Sequence, residues 1–81
     1  MKLVNLGSNM TELELNDGAT LFFSYNTPVA AFVPGQGVLR TTEFFSRTTT
    51  RHINKWIDGR LGRGVTVTPV GQEKIQEFLA P

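Results

Sequence analysis

The chain contains no cysteine, one histidine, one tryptophan and one tyrosine among 81 residues. Without cysteine there is no disulfide framework, no thiolate nucleophile and no cysteine metal site. A single histidine, His52, and few acids also leave too few ligands for a transition-metal centre. No apolar run approaches the roughly 20 residues needed to span a bilayer, so no membrane partner is expected. Met1-Lys2-Leu3-Val4-Asn5-Leu6 turns polar too early for a signal peptide. Asn9-Met10-Thr11 matches a glycosylation acceptor, and without a secretory signal it is discounted. The expectation is a cytoplasmic protein.

What remains is 40% hydrophobic and 19% charged, a globular rather than a disordered composition. Residues 1–81 read as a single small α+β domain with no repeat and no linker. A domain of this size buries only about 60% of its unfolded surface, so its core is marginal without help. Self-association into a homodimer is therefore one expectation.

The first half is punctuated like a β meander. Leu13 and Leu15 alternate with Glu12 and Glu14, which places the two acids on a solvated strand face. Asn16-Asp17-Gly18 is a hairpin turn. Ala19–Asn26 and Val29–Val33 follow as strands, with Pro28 expected at a strand start or on an edge. Pro34-Gly35-Gln36-Gly37 is a second turn, after which Val38–Thr41 pairs back.

The second half changes period. Ile53, Trp56 and Ile57 follow helical spacing, and Gly59 reads as the stop of a helix from about Thr48 to Asp58. Gly64–Thr68 reads as a short strand, and Thr68-Pro69 as the cap and first residue of a C-terminal helix striped by Ile75, Phe78 and Leu79. The fold class is thus α+β, an antiparallel sheet of four to five strands followed by helix, short strand and helix. On the second strand Leu21, Phe23 and Tyr25 share one face, and Thr20, Phe22 and Ser24 the other. A helix or a partner must cover Phe22, which Phe32 of the next strand joins.

Net charge is only +1, but it is unevenly placed. Arg40, Arg47, Arg51, Lys55, Arg60 and Arg63 lie in residues 40–63 against Glu43 and Asp58, leaving that stretch at +4 and the rest at −3. The first turn of the central helix holds Thr48, Thr49, Thr50, Arg51 and His52 and no acid, whereas helix starts favour acids. Hydroxyls, guanidinium and free N–H groups are also what a phosphate site is made of. The plainer alternative is a hydroxyl that caps the helix while the cations extend into water. His52 either stacks on a base or packs beside Trp56 at the core edge. Gly59-Arg60-Leu61-Gly62-Arg63-Gly64 is basic and glycine-rich but lacks the spacing and context of a P-loop.

An enzyme is not expected, because the one histidine has no evident nucleophile and acid beside it. No cofactor is expected either. The leading expectation is a non-enzymatic binding protein that contacts nucleic acid or another polyanion through Arg47, Thr48, Thr49, Arg51, His52, Lys55, Arg60 and Arg63. The alternative is a protein–protein module, a homodimer or an inhibitor of a host protein, that uses Phe22 and Phe32.

Two stretches together carry a resemblance. Leu21-Phe22-Phe23-Ser24-Tyr25-Asn26-Thr27-Pro28-Val29-Ala30 and Ser46-Arg47-Thr48-Thr49-Thr50-Arg51-His52-Ile53-Asn54-Lys55-Trp56 resemble a group of small uncharacterised proteins of phages and mobile elements, over about residues 12 to 57. The resemblance implies no activity and no site residues. It implies a phage-type protein acting in the host cytoplasm.

Overall fold

Alternation on the strands sorts the apolar residues onto two faces, and in the computed structural model, which describes residues 2–62 and 64–79, each face receives a helix. Six strands run in sequence order across one sheet: β1 (Lys2–Gly7), β2 (Met10–Glu14), β3 (Thr20–Ser24), β4 (Thr27–Val33), β5 (Gly37–Thr41) and β6 (Val67–Val70). Neighbours pair antiparallel except β5 and β6, which are parallel. A parallel pair needs a long crossover, and α1 (Arg47–Trp56) with a following π-helical turn (Ile57–Leu61) lies within it. The chain ends in α2 (Gln72–Gln76) and a 3-10 turn (Glu77–Leu79).

Two cores result. On one face Met10, Phe22, Val29, Ala30 and Val38 pack with Ile53, Trp56 and Ile57. On the other, Leu21, Ala31 and Leu39 pack with Ile75 of α2, edged by Leu13, Leu15, Phe23, Val33, Val70 and Phe78. The α+β class and the order of meander, helix, strand and helix are those expected from the sequence, and the C-terminal stripe docks through Ile75.

Several details differ, each for a physical reason. Lys2–Gly7, not named as a strand from the sequence, pairs with β2, Leu3 opposite Leu13 and Val4 opposite Glu12, and makes the meander five-stranded before β6 joins it. Gly59 does not stop the helix. The chain continues through a π turn to Gly62 (φ 82°), whose N–H bonds the Ile57 carbonyl at 2.9 Å. Thr68 and Pro69 lie in β6, and α2 begins after Gly71. β6 is an edge strand, where a proline costs no ladder bond. Pro28 is the second residue of β4, at a register shift against β3, and lies outside the stretch that pairs with β5. Glu12 is not on a solvated face: it shares its side of the sheet with Met10 and Phe22 and is only 3% exposed. Phe22 is fully buried beneath α1, with its ring stacked on Trp56 at 4.9 Å, and Phe32 is half-buried against the same core. A helix covers the mixed face, so Phe22 offers a partner no surface.

Candidate nucleic-acid interface

The segment Ser46 to Trp56 becomes a helix because its cap and its stripe agree. Ser46 is extended, and its hydroxyl accepts the Thr49 N–H at 3.1 Å. The Thr50 hydroxyl donates back to the Ser46 carbonyl at 3.2 Å. Thr49, Ile53 and Trp56 then fall on one side and are buried, while Arg47, Thr48, Arg51, Asn54 and Lys55 are exposed. The helix carries three cations and no acid. Among the described residues, Arg47, Arg51 and Lys55 form no ion pair. Arg40, on β5, donates to Asn54 Oδ1 of the same helix at 3.0 Å.

Beside the helix the β1–β2 hairpin forms the second wall of a cleft. Asn9 adopts φ 61°, which turns the hairpin, and its carbonyl accepts the Tyr25 N–H at 2.8 Å, tying the turn to the end of β3. Leu6, Gly7, Ser8 and Met10 from the hairpin face Thr48, Arg51, His52 and Lys55 across a cleft of about 420 Å³. Its polar lining is hydroxyl, imidazole and cation, with no acid. A second hollow of about 410 Å³ shares Leu6, Met10 and Lys55 with it, and continues along β1 past Trp56 and Gly59 to Arg60. Hydroxyls and weakly hydrated guanidinium are donors of the kind that match phosphate oxygens.

The imidazole is held from below. Ser24, 2% exposed, has its hydroxyl 2.8 Å from His52 Nδ1 and 3.0 Å from the Thr49 hydroxyl, which in turn accepts from Ser46 at 3.2 Å. The Tyr25 ring lies 5.8 Å from the His52 ring, tilted by 42°. A serine bonded to a histidine is the start of a hydrolytic pair, but two facts oppose that reading here. Ser24 is buried beneath the helix, and among the described residues no carboxylate pairs with His52. The same residues include no cluster of three or more His, Cys, Asp or Glu side chains that could hold a metal.

Arg60 has a different task. Its Nε and Nη2 donate to Glu12 at 3.0 and 2.8 Å, and Trp56 Nε1 donates to the same carboxylate at 2.6 Å. Burial pushes the Glu12 carboxyl up, but the hydrogen bonds from Arg60 and Trp56 and the Arg60 charge outweigh it, so the group lies below its ordinary value. The hydrogen bond to Glu12 in turn raises Arg60.

The expected site residues therefore divide. Thr48, Arg51, His52 and Lys55 come together in the cleft, and Arg47 is exposed one turn before Arg51. Thr49 is buried in the hydroxyl chain, and Arg60 is bound bidentate to Glu12 at the far end of the groove. Arg63 lies outside the described residues. Sequence reasoning missed the hairpin residues Leu6, Gly7 and Ser8, which reach the cleft through long-range pairing. It also missed Ser24, although its place beside Phe22 on the face that needs a cover was a usable signal.

Residues 1–77 match the Family of unknown function (DUF8033), and the chain belongs to it. No curated protein and no solved structure matches it.

Proposed function

We propose that the protein is a non-enzymatic nucleic-acid-binding domain that grips a phosphate backbone with the exposed face of α1. The observation that carries the reading is the cleft in which Thr48, Arg51, His52 and Lys55 face the β1–β2 hairpin, lined by three basic side chains and no acid. Arg47, Arg51 and Lys55 span about 12 Å along the helix at 1.5 Å per residue, the axial rise of about three to four phosphates on one strand. Arg60 serves the fold rather than the ligand. The sequence resemblance adds a phage-type protein in a host cytoplasm as the setting of this activity.

The test is fluorescence anisotropy with a labelled oligonucleotide, comparing the wild type with the double variant Arg51→Ala/Lys55→Ala and with Arg40→Ala. The double variant should lose at least tenfold in affinity, and Arg40→Ala should lose little, since Arg40 is not among the residues that line the cleft. Equal binding by all three proteins would overturn the assignment of the cleft.

A further inference from the structure

The fold treats its two sheet edges differently. β6 is four residues long and carries Pro69, which cannot donate to an added strand. β1 is six residues long, with no proline and Lys2 as its only charge. Edge strands are normally blunted by charge, proline or a cover, because their unpaired N–H and C=O groups invite another strand. Among the described residues nothing pairs with the outer edge of β1. It is apolar on both faces: Leu3 is 70% exposed on one, while Val4 and Leu6 line the groove on the other.

We propose that β1 is a homodimer interface, pairing antiparallel with β1 of a second copy to make one continuous twelve-stranded sheet. Two identical edges meet side by side and antiparallel only about a two-fold axis normal to the sheet. That axis keeps the two faces distinct, so facing residues must be both odd or both even in number, because alternate side chains point to opposite faces. The register that pairs Lys2 through Leu6, one residue into the irregularity between Asn5 and Gly7, places Val4 opposite Val4 of the second copy. Leu3 then faces Asn5, and Lys2 faces Leu6. No like charges oppose each other, so the edge is self-complementary, as a two-fold interface requires. An unrelated extended peptide would gain the same ladder but not this two-fold matching of Val4 to Val4 and of Lys2 to Leu6.

The same axis puts both α1 helices on one side of the sheet. The two basic clefts, each walled by its own β1–β2 hairpin, would flank the junction and offer a longer nucleic acid one surface. The interface itself does not depend on nucleic-acid binding and is tested without it. A five-residue edge buries less than the roughly 800 Å² per partner of a standard interface, so the association is weak and concentration-dependent.

Sedimentation equilibrium of the wild type from 10 µM to 1 mM should show the mass rising from 9.0 kDa toward twice that value. Leu3→Lys, a change at an exposed side chain, should keep the wild-type melting temperature and stay monomeric. Because the chain has no cysteine, Val4→Cys should cross-link to itself under mild oxidation at least tenfold faster than Asp17→Cys, a control at an exposed turn; facing Cβ atoms lie about 4.5–5.5 Å apart. A wild type that stays monomeric at 1 mM overturns the proposal. So does a dimer that persists in Leu3→Lys while Val4→Cys cross-links no faster than the control.

Discussion

Replacing Glu12 by leucine removes the carboxylate that ties Trp56 and Arg60 to the sheet. Trp56 is 1% exposed, and its Nε1–H donates to Glu12 at 2.6 Å. Leucine fills much of the same space but accepts nothing, so the indole N–H is left buried and unpaired. An orphaned buried donor costs about 1–3 kcal/mol, and we take about 2 kcal/mol as the expected loss. A chain of this length has a total stability of roughly 4–12 kcal/mol. The loss should lower Tm by about 8–16 °C, at ~4–8 °C per kcal/mol for a domain of this size. Thermal and urea melts followed by far-UV circular dichroism, which needs no tryptophan, measure it. Glu12→Gln should lose less, because its amide oxygen still accepts from Trp56. The cause is separated by repeating Glu12→Leu in a Trp56→Phe background, where no N–H remains to be orphaned. There the cost should shrink by about 1–3 kcal/mol. An equal cost in both backgrounds, or no cost in the wild type, would refute the reasoning.

Ser24→Ala removes the hydroxyl bonded to both His52 and Thr49 and should cost about 1–3 kcal/mol in a denaturant melt, since the Thr49 hydroxyl is itself buried. The two glycines Gly37 and Gly59 should respond in opposite ways. Gly37 holds φ 92°, and an added Cβ would sit 2.5 Å from the Thr66 carbonyl, so Gly37→Ala should destabilise by more than ~1 kcal/mol. Gly59→Ala meets open space and should raise Tm slightly, by up to ~1 kcal/mol of stability. Acid should weaken the fold through Glu12. Its carboxyl is held below the ordinary value in the folded state, so the unfolded chain takes up a proton first as pH falls. This contribution is complete above the ordinary carboxylate range and lost as pH drops through the folded value. Melting temperatures from pH 7 to 2 should show the loss, and Glu12→Gln should lack that component.

Much of this architecture is legible in the residues, and the reasons it is legible also mark where reading fails. Asn16-Asp17-Gly18 and Pro34–Gly37 announce their turns because their backbone needs are local. The Ile53, Trp56 and Ile57 spacing announces α1 because one face of a helix must be buried. Glu12 misleads, since alternation with Leu13 and Leu15 identifies one apolar face and says nothing about a cover on the other. Only Arg60, 48 residues away, and Trp56 make its burial tolerable. Lys2–Gly7 shows no clean alternation because, as an edge strand, it is fully covered on neither face. Of the cleft, the helix contributes what sequence shows, the run Thr48, Arg51, His52 and Lys55. The hairpin wall depends on pairing that no local pattern encodes.

The central claim is electrostatic, and salt tests it most directly. With Arg47, Arg51 and Lys55 each neutralising one phosphate, log Kobs against log[salt] should fall with a slope of about −2 on single strands and −2.7 on duplex. Between 50 and 200 mM salt that is a loss of about 20- to 40-fold. A slope of that size, reduced by about two contacts in Arg51→Ala/Lys55→Ala, is the predicted result. A flat slope, or no binding at 50 mM salt and tens of micromolar protein, would contradict the account.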